Sequence, residues 1–172
     1  MSRTLLSIDP GLSSGLTLWE YGDSKPAELL EFWQIEGGIE GFLGWNTHNG
    51  SHTDDVVVEK FTPRQSLTLA SAEPLLIEGA LIALGYVPPY QPGGKNVNWN
   101  HPAQMYFTGG DDLADKKKRA HKWLKDKGLY ITGKDVGCRD ANDVRSSMLH
   151  AMVWFRKQKH RATIERWFPP DA

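Results

Sequence analysis

The run of valines at residues 56–58 constrains the fold more than any other segment of this sequence. It follows two aspartates, and Glu59, Lys60 and Phe61 come directly after it. A β-branched run bounded by polar residues is typical of a strand in the buried centre of a sheet. Glu59 would lie at the carboxyl end of that strand, which is where open α/β sheets place their ligands.

Three earlier segments, residues 4–8, 15–19 and 29–33, each predict a short strand. Asp9 begins an Asp-Pro-Gly turn between the first two, so we expect the three strands to form an antiparallel meander. Asp9 itself has two interpretations. It is either an ordinary turn residue before Pro-Gly or a carboxylate held at a strand end and aimed into a cleft.

The remaining segments predict helices and short strands in alternation. In chain order they are a short helix and loose loop at 35–50, a helical region at 63–85 that Pro74 starts or kinks, an edge-like strand at 86–91, a loop at 92–100, a short helix at 102–107, a basic helix at 113–127 and a last helix from about 140. Strands first, followed by alternating helices and strands, indicate an α/β fold with a mixed sheet.

The last helix begins with two aspartates three residues apart. Val144, Met148 and Phe155 fall at helical spacing and predict an apolar stripe packed into a core. Asp140 and Asp143 lie side by side in the first turn, where aspartates commonly cap free N–H groups. Two carboxylates at the edge of a core also repel each other unless a cation stands between them. Capping and metal binding are both open for this pair.

Length and cysteine content limit the class of protein. A chain of 172 residues suits one domain better than two. It has no apolar run near the roughly 20 residues of a membrane span, and residues 1–3 lack the apolar core of a signal peptide, so we expect no membrane association. A single cysteine, Cys138, excludes an internal disulfide and favours a reducing compartment such as the cytoplasm.

The net charge of −1 hides an uneven distribution. Residues 1–60 carry 3 basic and 10 acidic side chains, whereas residues 116–172 carry 15 basic and 6 acidic ones. A basic third on a nearly neutral chain suggests a surface for a polyanion such as nucleic acid. Solvated helix faces also explain many such runs.

Four carboxylates that are far apart in sequence would meet at one end of the predicted sheet. Asp9 ends the first strand, Glu59 ends the fourth, and Asp140 and Asp143 open the last helix. Such a cluster repels itself without cations, and oxygen ligands suit Mg²⁺ or Mn²⁺. Two ions about 3.5–4 Å apart fit the hydrolysis of a phosphodiester. His150 lies two turns beyond Asp143 on the same face, and ordinary packing is the favoured interpretation for it.

These motifs, in this order, resemble the RuvC-like Holliday junction resolvases of the ribonuclease H-like superfamily, which bacteria and phages encode. Residues 8–11, Ile-Asp-Pro-Gly, followed by Gly15 and a second strand, resemble the opening of that family. Residues 57–61 resemble its second motif, residues 114–116 its basic helix, and residues 140–143 its closing Asp-x-x-Asp. Order and spacing agree over about residues 4–155.

The resemblance implies a ribonuclease H-like α/β fold with a five-stranded mixed sheet, an antiparallel meander first and then parallel strands, flanked by helices. It implies a single nuclease domain over residues 1–172, with its core at about 4–155 and a basic helical extension at 156–172. Two Mg²⁺ or Mn²⁺ ions, and no small-molecule cofactor, would serve the site. The implied catalytic and metal-binding residues are Asp9, Glu59, Asp140 and Asp143, and the expected DNA-binding residues are Lys60, Phe61, Arg64, Lys116, Lys117 and Arg119.

The expected function is a structure-specific endodeoxyribonuclease of the crossover-junction type. It would act, usually as a homodimer, on Holliday junctions, forks or flaps in recombination, repair or phage DNA processing. A RuvC-like ribonuclease on structured RNA and a non-catalytic module that binds branched DNA remain alternatives. An actin-like ATPase is disfavoured by the length of the chain. The family's lysine before the basic helix is replaced near Tyr106, and the loop at 92–100 looks like an insertion.

Overall fold

A mixed sheet of four strands forms the centre of the described structure. The computed structural model describes residues 1–50, 53–59, 68–86 and 113–168, without the side chains of 69–71 and 113–116. The strands, in the spatial order β3-β2-β1-β4, are β1 (Ser2–Asp9), β2 (Ser13–Gly22), β3 (Lys25–Glu36) and β4 (Asp55–Val58). The β1–β2 and β2–β3 pairs are antiparallel, whereas β4 runs parallel to β1.

The predicted meander and the parallel strand that follows it are therefore confirmed. The sheet has four strands within the described ranges, not the expected five. The expected fifth strand, at 86–91, lies outside those ranges except for Tyr86. The mixed α/β class of the fold is as predicted.

Five helices accompany the sheet in the described ranges. They are α1 (Gly38–Asn49), α2 (Leu69–Ala83), α3 (Leu113–Asp126), α4 (Asn142–Lys157) and α5 (Arg161–Trp167). The predicted basic helix and the last helix are present, and Pro74 lies inside α2. The helix predicted at 102–107 and the loop at 92–100 fall outside the described residues. None of the described helices combines the length and apolar character that a membrane crossing requires.

The helix predicted within residues 35–50 is present, but the prediction of a loose loop after it was wrong, because α1 continues to Asn49. Ile39, Phe42 and Trp45 recur every three residues and pack against the core on one side of the sheet. Phe42 is completely buried. Packing of this face outweighs the low helix propensity of the glycines in the segment.

Both faces of the sheet are covered. Leu5 and Val57 belong to the larger core, where α4 packs on the sheet. Their neighbours Leu6 and Val56 belong to a second core, against α1 and α2. Because side chains alternate across a strand, an apolar run can serve both cores at once. Residues 56–58 are buried as predicted, but β4 is the outermost strand of the described sheet, so their predicted place in the centre of the sheet is not confirmed.

A buried polar contact fixes the position of α4 on the sheet. The Ser7 hydroxyl donates to the Ser147 carbonyl oxygen at 2.8 Å, and the Ser147 hydroxyl donates to the Ser7 carbonyl oxygen at 2.7 Å. The Ser147 hydroxyl also lies 2.8 Å from the Thr17 hydroxyl. Buried polar groups need such partners, so this reciprocal pair sets the register of α4 along β1.

Gly15 allows the first turn of α4 to approach β2 closely. A Cβ atom at this position would lie 1.9 Å from the backbone carbonyl carbon of Asp143 and 2.2 Å from the nitrogen of Val144. Glycine is required here because backbone meets backbone. This approach brings Asp143 to the edge of the sheet.

Candidate metal centre

Asp9 and Glu59 are neighbours at one edge of the sheet. Asp9 is the last residue of β1, and Glu59 comes directly after β4, which is parallel to β1. The Glu59 N–H donates to the Ile8 carbonyl oxygen at 3.1 Å, so the strand pairing extends to this residue. Both side chains are half-buried, and the two carboxyl groups are hydrogen-bonded to each other. Two carboxyl groups share a hydrogen bond only when one of them carries the proton.

The first two turns of α4 lie against this carboxyl pair. Asp143, Ser146 and His150 follow one another at helical spacing along one face of α4. The Ser146 hydroxyl hydrogen-bonds to Asp9. His150 is completely buried, and its Nε2 atom lies 3.6 Å from Glu59 Oε2. Asp9, Glu59 and His150 each contribute one ligand atom to a group of three, and these atoms all lie within 4.8 Å of one another.

Asp143 is held in place by residues from the meander. Its Oδ2 atom accepts hydrogen bonds from the Ser13 hydroxyl at 2.8 Å and from Gln34 Nε2 at 2.6 Å. The Oε1 atom of Gln34 accepts from the Val144 N–H at 3.3 Å. One glutamine amide thus binds both the carboxylate and the amino end of α4. Sequence reasoning missed Ser13 and Gln34, since nothing in the local sequence shows that β2 and β3 reach this helix.

The electrostatics of the site disfavour three ionised carboxylates. The pKa of Asp9 is raised well above its usual range, first by burial, then by Glu59 and then by Asp143. The Ser146 hydroxyl acts in the opposite direction, because it stabilises the ionised form. A divalent cation at this point would reverse the balance by attracting all three carboxylates.

The donor atoms fit such a cation. Carboxylate oxygens and an imidazole nitrogen are common ligands of divalent ions, and their bonds are about 2.0–2.2 Å long. Ligand atoms within 4.8 Å of one another, as in Asp9, Glu59 and His150, can reach a single ion with small side-chain movements.

Asp140 has a different environment from Asp143. Its side chain is exposed, and its Oδ1 atom accepts hydrogen bonds from the Asn142 N–H at 3.0 Å and from Asn142 Nδ2 at 2.9 Å. This is an Asx turn directly before α4, whose N-cap residue is Ala141 and has no side-chain cap. The structure therefore brings Asp9 and Glu59 together with His150, places Asp143 near enough to raise the pKa of Asp9, and gives Asp140 a local partner.

The predicted DNA-binding residues are described only in part. Lys60, Phe61 and Arg64 lie outside the described residues, as does the side chain of Lys116. Lys117 is exposed on α3 and Arg119 is half-buried on the same helix. Their role in binding DNA stays a prediction.

The position of His150 differs most from what the sequence analysis favoured for a single residue. Its spacing from Asp143 put it on the same face of α4, but ordinary packing was the expected role. In the structure its imidazole lies against Glu59. The seven-residue spacing between Asp143 and His150 was the available signal that both face the site. It is a weak signal without knowledge of how α4 packs on β4.

Comparison with solved structures gives a match that covers nearly the whole chain. Neither a protein-family model nor a curated protein sequence matches. A solved structure described as T. thermophilus RuvC in complex with Holliday junction substrate is similar to this chain with a TM-score of 0.47 and 16% sequence identity. The alignment covers 91% of this chain and 97% of that one.

Proposed function

We propose that this protein is a divalent-metal-dependent endonuclease that cleaves branched DNA. The observation that carries the proposal is the convergence of three carboxylates at the carboxyl edge of the sheet. Asp9 and Glu59 arrive from adjacent parallel strands, and Asp143 arrives from the first turn of α4. Carboxylates that repel one another in the absence of a cation suit a site that binds one.

The residues divide into two sets around Asp9. Glu59 lies on one side of it, where it would share a first ion with Asp9. Asp143, held by Ser13 and Gln34, would share a second ion with Asp9. Asp140 would complete the second set by turning away from its contacts with Asn142. Divalent ions held by these residues would supply activation of a water molecule for in-line attack and stabilisation of the leaving 3′-oxygen.

The remaining residues position these ligands. Ser146 favours the ionised form of Asp9, which is the form that binds a cation. Gln34 fixes Asp143 relative to the amino end of α4. Gly15 permits the approach that makes both contacts possible. Preorganised ligands of this kind lower the cost of assembling the transition state.

Branched DNA is the proposed substrate because the acidic motifs, in their order and spacing, resemble those of the RuvC-like resolvases. The basic helix α3, which exposes Lys117, Lys118 and Lys122, would hold backbone phosphates, and we expect binding to weaken steeply with salt. Phosphate contacts carry no sequence information and therefore suit recognition of a branched shape. A homodimer would present two such sites to a four-way junction.

Cleavage of a substrate panel tests the proposal. Labelled four-way junction, fork, flap, linear duplex and hairpin RNA are incubated with Mg²⁺, Mn²⁺ or EDTA. Glu59→Gln and Asp143→Asn remove site carboxylates, and Asp54→Asn removes an exposed carboxylate at the opposite end of β4. We expect cleavage of branched DNA that EDTA and both site variants abolish and that D54N retains.

Other outcomes have definite meanings. Paired symmetric nicks in the four-way junction would identify a dimeric resolvase, and cutting mainly at forks or flaps would indicate general branch processing. Cleavage of the RNA hairpin in preference to DNA would replace the proposal with a ribonuclease. Metal-independent binding without cleavage of any substrate would leave a DNA-binding module instead.

A further inference from the structure

We propose that His150 Nε2 is a direct ligand of the ion shared by Asp9 and Glu59, which makes this a mixed nitrogen and oxygen site that prefers Mn²⁺ to Mg²⁺. The inference rests on the proposed metal-dependent function and adds a ligand that the acidic motifs do not contain. It assigns the buried imidazole to the first ion and leaves Asp140 and Asp143 to the second.

The distance between His150 and Glu59 is compatible with both atoms binding one ion. The 3.6 Å from Nε2 to Oε2 exceeds the usual length of an N–H···O hydrogen bond. Two neighbouring ligands of a single ion, each bonded at about 2.0–2.2 Å, lie about 2.8–3.1 Å apart in octahedral geometry and about 3.3–3.6 Å apart in tetrahedral geometry. The observed separation is at the upper end of the tetrahedral range, and a shift of about 0.5 Å brings the two atoms to octahedral spacing.

The fold holds the imidazole in this position. His150 is two turns along α4 from Asp143, and Ser146, between them, contacts Asp9. The reciprocal hydrogen bonds of Ser147 and Ser7 fix α4 along β1, and Ser7 lies two residues before Asp9 at the end of that strand. A completely buried side chain has few alternative rotamers, so its ring stays directed at the carboxyl pair.

An imidazole ligand changes which ion the site retains. Mg²⁺ is bound mainly through oxygen atoms and gives up its water molecules reluctantly. Nitrogen ligands raise the affinity for first-row transition ions, of which Mn²⁺ is the weakest binder. We expect Mn²⁺ to bind the wild-type first site about tenfold or more tightly than Mg²⁺ and His150→Gln to lose most of that preference.

Electron spin-echo spectroscopy of bound Mn²⁺ tests the ligand without measuring activity. The untagged full-length protein is loaded with one equivalent of Mn²⁺ and examined for coupling to the directly bound ¹⁴N of an imidazole. The same protein with ¹⁵N-labelled histidine should lose the ¹⁴N signal, and this comparison requires no substitution. His150→Gln should bind Mn²⁺ without the coupling, whereas His48→Gln, which changes an exposed histidine on α1, should keep it.

The outcomes separate this inference from the proposed function. Nitrogen coupling that disappears in H150Q and persists in H48Q supports His150 as the ligand. Mn²⁺ that binds the wild type without nitrogen coupling, and that Asp9→Asn removes, would overturn the inference and leave the carboxylate site intact. Failure of both Mn²⁺ and Mg²⁺ to bind the wild-type protein would overturn the proposed function as well.

Discussion

The two ends of the β1–β4 pair both carry acidic residues, but the hydrogen-bond partners of these residues differ. At the amino end, Asp55 Oδ2 accepts from Arg3 Nη2 at 2.7 Å and also from the Tyr21 hydroxyl. Asp54 Oδ2 accepts from the backbone N–H of Thr4 at 2.7 Å and from its hydroxyl at 3.1 Å. At the carboxyl end, Asp9 and Glu59 are hydrogen-bonded to each other.

The direction of the pKa shift shows what this difference means. The backbone N–H of Thr4 lowers the pKa of Asp54, so the folded protein favours its ionised form. Burial and the neighbouring acids raise the pKa of Asp9, so the folded protein disfavours its ionised form. Asp54 at the amino end therefore stabilises the fold. Asp9 at the carboxyl end costs stability until a cation binds, which is typical of a functional site.

The largest expected effect is on cleavage. Asp9→Asn and Glu59→Gln should each reduce the rate of cleavage by about 100-fold or more, because bound ions contribute several kcal/mol to transition-state stabilisation. Asp54→Asn, the matched substitution at the amino end, should leave the rate within about twofold of wild type, since D54N removes no proposed ligand. Single-turnover cleavage of a four-way junction measures all three. Equal losses in D54N and D9N would contradict the contrast between the two ends.

A substitution at Gly15 should have the largest effect on the fold. The Cβ of Gly15→Ala would lie 1.9 Å from the Asp143 backbone, so α4 must move away from β2. We expect the free energy of unfolding to fall by about 3 kcal/mol, at the upper end of overpacking effects. Gly44→Ala is the control, because a Cβ there meets no atom within 4 Å and removes a glycine from α1.

Urea denaturation of the two alanine variants distinguishes a steric effect from a general effect of replacing glycine. G44A should gain about 0.5–1 kcal/mol from reduced backbone freedom in the unfolded chain. A G15A protein as stable as wild type would show that the first turn of α4 does not approach β2 as described, and Asp143 would then lose its place at the site.

The sequence was sufficient to predict the strands and the acidic residues but not every contact among them. Asp9 and Glu59 were predictable because each follows an apolar strand, and parallel strands end at the same edge. Gln34 was not predictable, since its contact with Asp143 depends on the register of β3 relative to β2 and on the position of α4. The role of His150 depends on the same packing. Asp140 and Asp143 have the same sequence signature and different surroundings, which only the three-dimensional structure distinguishes.

Ion binding should stabilise the wild-type protein through the carboxyl end alone. At an ion concentration about 100 times the Kd, the gain in free energy of unfolding is about 2.7 kcal/mol. D54N should show the same gain as wild type, and D9N should show almost none. Thermal unfolding with Mn²⁺ and with EDTA measures the difference. An equal gain in D9N would place the bound ion elsewhere on the protein.

The smallest expected effect is a pH dependence of opposite sign at the two ends. Without metal, the raised pKa of Asp9 means that the folded state binds more protons than the unfolded state. Stability should therefore fall as the pH rises from the ordinary aspartate value of 3.8 through the raised pKa of Asp9. D9N should remove this decline and be more stable than wild type at neutral pH in EDTA.

The lowered pKa of Asp54 has the opposite consequence. Its contribution is present above 3.8, is lost as the pH falls through the lower folded-state pKa, and is small because the side chain is exposed. Urea denaturation in EDTA across the acid and neutral range should give differences from wild type that both grow as the pH rises but have opposite signs: D9N becomes more stable than wild type, and D54N becomes slightly less stable. If D9N loses stability at neutral pH without metal, Asp9 stabilises the fold in the same way as Asp54, and the contrast between the two ends of the sheet disappears.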